Sequence, residues 1–548
     1  MFQCLPYAVG HGDEGICLLV TVGEYRILLD CGLRNLQTLI NPAIFDPAIS
    51  NSQSAPPMLP ADVVLCSHAH ADHARSLLPL HFAFPHLPIY ASEVTTHLLP
   101  LNWLDQAPVP WFCQALPWRS PIEILDNLTV QLFPAGHLPG SAAILLTYTG
   151  SDRPYQLFYS GDFFLSNARL VEGLKLEELR GIHPDVLIIE GSYGAERHPR
   201  RRRQENDLME RMERAISNGQ SILLPVSPFG LAQELLMLLR SHYLFSGRNL
   251  DIWVEGQVAQ GCDVYLELLP HLPAPVQNFA QYQPLFWDDR ISPRVRHLSP
   301  DQRSSLGQEP CIVLTDAISE LSEFCQPHTS WLILLPQHQD LRLDWLSSET
   351  GSAGSSETAA VAVETYLLAE HCDGLGAVQL IHNVRPQHVV FVHGAPQALH
   401  DLAGLDELSS RYKLHIPSAG TVIEFSIGDT FLQPEAPELS YEGEVAETQE
   451  AILITLPETI INDPRWRMLS DTGLIEARWM GEQLIVRGIT QRELRSENIE
   501  QKLESVDRDC CINCRYYQNQ RCSNRRSPLF NFRVTPDGYC PAFSLVMG

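Results

Sequence analysis

Four residues able to hold a metal fall within six positions: His68, His70, Asp72 and His73, in the run Ser67-His68-Ala69-His70-Ala71-Asp72-His73. Imidazole nitrogens and carboxylate oxygens suit zinc and similar divalent cations, and a tight turn can aim several of them at one point. The apolar run Val63-Val64-Leu65-Cys66 comes directly before, so the turn follows a buried strand. A solvated histidine-rich loop is the plain alternative. It gives no reason for one Asp among three His with only alanine between them, and the spacing therefore predicts a metal site.

Other strand ends repeat the form. Leu128-Thr129-Val130-Gln131-Leu132-Phe133 leads into Gly136-His137, with Ser141 four residues on; Leu157-Phe158-Tyr159 leads into Gly161-Asp162. A lone His or Asp at a strand end is more often structural, and it is their agreement in form that carries the inference. Residues 14 to 34 read as a hairpin, Ile16 to Val22 and Tyr25 to Leu29 about a Gly23-Glu24 turn, ending in Asp30-Cys31-Gly32. Asp30 is either a turn former or a group that orients a metal ligand, and beside a metal loop the second role is expected.

A chain of 548 residues is too long for one core and divides into several domains. With 45% hydrophobic and 19% charged residues it is ordinary globular material. The start lacks a basic segment followed by an apolar one, and no run of about eighteen apolar residues occurs. The chain is thus expected to be cytoplasmic, without membrane contact. Several of the 14 Cys (Cys17, Cys31, Cys66, Cys311) sit inside apolar runs, where a reduced thiol behaves as a small hydrophobe. A net charge of -27 argues against holding a polyanion by overall field, although a local strip such as Arg197-His198-Pro199-Arg200-Arg201-Arg202-Arg203 can grip phosphate or simply be solvated.

From residue 195 the pattern changes. Leu208, Met212, Ala215 and Ile216 have helical spacing, Ser221 to Val226 reads as a buried strand, and Leu231, Leu235, Leu238 and Leu239 mark another helix. Helix, strand, helix predicts a small α/β unit with a parallel sheet, continued by strands at 252–255 and 311–316. The helix start at Gly230 could favour an anion. Ser347 to Thr358, rich in Gly and Ser, is expected to be a flexible linker.

His68-Ala69-His70-Ala71-Asp72-His73 resembles the HxHxDH signature of the metallo-β-lactamase superfamily, and Asp30, His137 and Asp162 follow the order of its other site motifs. The resemblance implies an αββα sandwich, α/β in class, with an inserted domain and two metals at one edge. His68, His70, His137 and Asp162 would hold one, and Asp72, His73, Asp162 and a later His the other.

Glu190-Gly191-Ser192-Tyr193-Gly194 is similar to motif A of the β-CASP nucleases, a family that includes RNase J and the cleavage-and-polyadenylation nucleases. Leu224 to Leu236 looks like a stretch of their insert, with Leu231 where the family has Arg. Ala369-Glu370-His371-Cys372-Asp373 resembles motif B, usually Ser-Ala-His-x-Asp, and Val392-His393-Gly394 resembles motif C. The resemblance makes Glu190 and Asp72 catalytic candidates, His371 the general acid toward the leaving oxygen, and His393 the remaining metal ligand. Ser141 and Gly230 are candidate substrate contacts. A His at motif C favours RNA.

The resulting expectation is a two-zinc (or other divalent metal) phosphodiesterase that cuts RNA through a metal-activated hydroxide. Homodimerisation or membership of an RNA-processing complex stays open. The alternatives are a related hydrolase of a small thioester or lactone, and a catalytically silent scaffold. The expected domains are 1–195 and 361–430 for the first fold, 196–360 for the insert, 431–508 for an accessory domain and 509–548 for a Cys-rich module. In the last, Cys511, Cys514, Cys522 and Cys540 form a four-thiolate set that reads as structural zinc or an iron–sulfur cluster.

Overall fold

The computed structural model describes residues 2–40, 59–106, 108–150, 153–316, 318–326, 328–337 and 360–427, and in the C-terminal part 444–447, 452–455, 475–480, 483–488, 514–518 and 521–524. Two compact units divide the chain, Met1–Pro434 and Glu435–Gly548.

Two seven-stranded sheets build the centre of the first unit. One runs in the order Ile423–Phe425, Phe2–Val9, Ile16–Val22, Tyr25–Leu29, Val63–Leu65, Ile89–Ser92, Gln114–Leu116; the other runs Lys413–His415, His388–Val392, Val186–Glu190, Pro154–Tyr159, Ala142–Thr149, Leu128–Pro134, Ile122–Leu125. Residues of alternate parity meet between them: Ile16, Leu18 and Val20 from one sheet pack with Val130, Leu132, Ile144 and Ile188 from the other. The opposite parity faces outward under helices. Cys17, Leu19 and Leu28 pack with Leu77, Leu78 and Leu80 of the helix Leu77–Ala83, while Phe158, Leu187 and Val389 pack with Leu380 and Ile381 of the helix Gly374–Val384. Strands covered on both faces read as near-continuous apolar runs, and Ile16–Val20 is one, fully buried. The result is an αββα sandwich.

The inserted region forms a third sheet, six strands all parallel, in the order Arg294–His297, Asp251–Val254, Ile312–Thr315, Ser221–Pro225, Ser330–Pro336, Ala360–Tyr366. Helix Arg201–Ser217 leads into it from the sandwich, and helices Leu231–Ser241 and Gly256–Glu267 cross between its strands, as parallel pairing requires. Ile222 and Leu224 turn to one face and Leu223 to the other, so both faces carry a core. This sheet runs to Tyr366, past the boundary expected at 360. Its last strand is a largely exposed edge, with Ala360 to Val363 apolar but Glu364 and Thr365 following.

The linker expected at Ser347 to Thr358 lies outside the described residues. In the second unit the described strands pair as antiparallel hairpins, Glu444–Glu447 with Ile452–Thr455, Ile475–Met480 with Gln483–Gly488, and Tyr517–Gln518 with Arg521–Cys522. Cys514 is buried just before the last of these, and Cys522 pairs with Tyr517 through the backbone. Cys511 and Cys540 lie outside the described residues. No described helix is long and apolar enough to cross a membrane.

Candidate metal centre

The loops that leave the two central sheets at one edge bring the predicted ligands together. His68, His70, His137 and Asp162 present ligand atoms within 4.8 Å of one another, as do Asp72, His73 and His393, and as do Asp162, Glu190, His371 and His393. Asp162 stands between the groups: its Oδ2 lies 3.5 Å from His68 Nε2, 3.8 Å from His137 Nε2 and 3.3 Å from His73 Nε2, and its Oδ1 lies 3.6 Å from His393 Nδ1. His393 Nε2 is 3.1 Å from Asp72 Oδ2.

Each imidazole is turned by a partner on its far nitrogen. His73 Nδ1 donates to Asp30 Oδ2 at 2.8 Å. The Ser67 hydroxyl donates to the same oxygen, which leaves Ser67 Oγ to accept from His68 Nδ1 at 3.0 Å. His70 Nε2 donates to the Phe229 carbonyl at 3.2 Å and His137 Nδ1 to the Glu370 carbonyl at 2.9 Å. These acceptors fix the tautomers of His68, His70 and His137, so that the inward nitrogen of each of these rings carries a lone pair. His68 Nε2, His73 Nε2 and Asp162 Oδ1 are buried without a hydrogen-bond partner. Three orphaned polar atoms at one point are costly unless something binds them, and a divalent cation fits the donor set.

Backbone shape serves the same end. Asp30 and His393 both adopt left-handed conformations, φ 56° and 53°, sparsely populated for residues with a side chain and concentrated at functional sites. Asp30 accepts from Ser67 N–H, Ser67 Oγ, Tyr159 OH and His73, and so ties both sheets to the metal loop. Gly32 lets the chain pass the loop closely; a Cβ there would stand 1.6 Å from the Asp72 carbonyl oxygen.

Electrostatics divide the centre. Burial, followed by neighbouring imidazoles, holds His68 and His137 well below the usual histidine range, and burial lowers His70. These rings are neutral, the form that binds metal. Burial opposes protonation of His73, His393 and His371 too, but nearby carboxylates prevail. Asp162 and Asp72 raise His73, Asp162 raises His393, and Glu190 with Asp162 pushes His371 up to about 10. Burial would raise Asp162, yet His393, His73 and His371 keep it well below the carboxylate range.

His371 Nδ1 donates to Glu190, 3.1 and 3.2 Å from its two oxygens. Glu190 also accepts from Phe163 N–H at 2.8 Å and from the Ser192 hydroxyl, whose oxygen in turn accepts from His393 Nδ1 at 2.9 Å. Ser192 thus joins the proposed acid to a proposed ligand. Its signal in the sequence was a hydroxyl two residues after Glu190 in a glycine-bounded turn. Tyr159, Phe229 and Glu370 were also missed, the last two because they act through backbone carbonyls.

Two expected substrate contacts take other roles. Ser141 is buried, and its Oγ accepts from His137 N–H at 3.1 Å and Leu138 N–H at 3.3 Å, closing the turn that carries the ligand. The Gly230 amide is spent on Gln233 Oε1 at 2.9 Å. Gly230 instead supplies space: at φ 99° a Cβ would sit 3.3 Å from His70 Nε2 and 3.4 Å from Glu370 Oε1. A cleft of about 400 Å³ opens over the centre, lined also by Leu101, Asn102, Pro228, Phe229 and Glu370. No Lys or Arg stands among the described residues lining it.

Residues 25–216 match the family described as "Beta-lactamase superfamily domain". An uncharacterized protein of Synechocystis, sll0514, is 47% identical over 99% of this chain and 96% of its own length. An RNase J-like protein of Methanocaldococcus jannaschii is 27% identical over 55% of this chain and 67% of its own. Ribonuclease TTHA0252 of Thermus thermophilus is 30% identical over 44% and 55%. The sandwich and its His/Asp edge are those of the metallo-β-lactamase superfamily. Together with the inserted sheet and these relatives, they place the chain in that superfamily's β-CASP family.

Proposed function

We propose that this protein hydrolyses phosphodiester bonds of RNA with two divalent cations, zinc in the first instance. The observation that carries the reading is the set of buried, unpartnered ligand atoms, His68 Nε2, His73 Nε2 and Asp162 Oδ1, beside the His371–Glu190 pair. His68, His70, His137 and Asp162 would hold one cation, and Asp72, His73, Asp162 and His393 the other. Such a pair supplies Lewis acidity to the phosphoryl oxygens and lowers the pKa of the attacking water.

The side chains account for the protons. Asp72, 36% exposed at the cleft, would orient the water and take its proton. His371 gives Nδ1–H to Glu190, so its Nε2 proton goes to the oxygen that leaves phosphorus. Glu190 keeps that ring charged until the transfer. The relatives named as ribonucleases support RNA as the polymer.

A second reading, hydrolysis of a small thioester or lactone, is favoured by the absence of Lys and Arg among the described residues lining the cleft. One assay separates the two. Labelled RNA, single-stranded DNA and a thioester are offered with and without added metal. RNA cleavage that is lost in His137→Ala supports the proposal; thioester turnover with intact RNA sinks it. His371→Ala should lower RNA cleavage by about 100-fold or more, the usual contribution of a positioned acid, and a phosphodiester with a p-nitrophenolate leaving group, which departs unprotonated, by far less.

A further inference from the structure

The segment 369–373, which carries His371, is held from outside the centre by the start of the insert. Gln204 is buried, and its Oε1 accepts from Ala369 N–H at 2.8 Å while its Nε2 donates to the Pro199 carbonyl at 2.7 Å. Arg201 Nη1 donates to the Ala369 carbonyl. Both backbone groups of the residue two before His371 are therefore bound by the first turn of the helix Arg201–Ser217. Beyond His371, Asp373 accepts from His198 N–H and from Gly376 N–H, each at 3.0 Å, and Gly374 N–H donates to the Glu196 carbonyl at 2.9 Å. Ala369 has no side-chain polar group with which to anchor the segment itself.

We propose that Gln204 and Arg201 are positioning residues for His371, through which the insert sets the proton donor of the reaction. Ala369 fixed at both its N–H and its C=O has little freedom to swing, and a donor must lie within hydrogen-bond reach of the oxygen it protonates. Neither residue touches the ligand atoms. The inference rests on His371 being the acid.

Gln204→Leu removes the acceptor at Ala369 N–H; Gln204→Glu restores it. The leucine variant is expected to lower kcat on RNA by about 10-fold, with KM within about twofold of wild type, and glutamate to recover most of the loss. Hydrolysis of the p-nitrophenyl diester, which needs no proton donor, should fall by less than about twofold. General structural damage would lower both substrates in parallel, and that result, or no loss on RNA, overturns the proposal. Metal content and thermal melting are measured alongside. If Gln204→Leu fails to fold, Arg201→Met, which removes the bond to the Ala369 carbonyl together with the ion pair to Glu205 and the guanidinium over Phe164, is read in the same way. His371→Ala serves as the reference. If it shows no leaving-group dependence, the acid assignment itself fails and this inference with it; if it does and the Gln204 and Arg201 variants do not, only this inference fails.

Discussion

The two halves of the metal centre are built from the same side chains but oriented by different means. His68, His70 and His137 lean on a hydroxyl and two backbone carbonyls and are held neutral by burial. His73, His393 and His371 sit against Asp30, Asp72, Asp162 and Glu190 and are pushed upward. The first half is a ready acceptor for a cation. In the second, carboxylates favour the protonated rings; on the proposed reading a cation would displace the protons of His73 and His393, and His371 would keep its own for the leaving group.

Asp162 is common to both halves, and its loss should have the largest effect. Asp162→Ala is expected to remove both cations from the purified protein, measured by elemental analysis, and to lower RNA cleavage by more than about 1,000-fold, consistent with the several kcal/mol that metal catalysis supplies. Retention of both cations would break the proposed sharing. Asp30→Asn comes next. It removes the charge behind His73 while keeping a group that fits, and should weaken one of two cation sites by about 10- to 100-fold in a metal titration. Equal weakening of both would erase the distinction between the halves. Phe229→Leu comes third, because the Phe229 hydrogen bond to His70 uses the backbone oxygen and leucine keeps an apolar side chain where the ring lies 5.3 Å from the imidazole; RNA cleavage should change by less than about threefold.

The smallest effect belongs to a histidine pair outside the centre. His388 Nε2 donates to the Ser426 carbonyl at 3.1 Å, and its Nδ1 accepts from His415 Nε2 at 2.9 Å. Burial lowers both from the ordinary value of 6.5. The unfolded chain therefore takes up protons first, so their contribution is complete above pH 6.5 and fades as the pH falls below it. His415→Gln keeps a donor that does not titrate, and should lessen the drop in urea midpoint between pH 7 and pH 5. An unchanged slope would show that the pair is acid-insensitive.

That pair also shows where sequence reading stops. His388 and His393 lie five residues apart, one on the strand His388–Val392 and one just after it, and nothing in their types tells a histidine satisfied in the core from one that faces Asp72 and Asp162. The metal loop was legible because its four candidates are local. Asp30, His137 and Asp162 were legible because each follows an apolar strand that must end at the same sheet edge. The orienting oxygens of Phe229 and Glu370 were not, since backbone groups carry no residue signature. Ser141 and Gly230 were not placed by their types for a related reason: a hydroxyl or a glycine amide beside a site serves a turn as readily as a substrate, and here both are engaged within the fold. The parallel insert sheet was foreseen from alternating helix and strand, but its exposed edge strand Ala360–Tyr366 was not, since its short alanine- and valine-rich start stands beside the Gly- and Ser-rich stretch.

The most direct test of the account is cleavage of a labelled RNA by protein stripped with a chelator and then titrated with zinc. The account predicts no cleavage by the stripped protein and a return of activity that is complete only near two equivalents per chain, absent throughout in Asp162→Ala. Full cleavage by the stripped protein, or by Asp162→Ala, would contradict it.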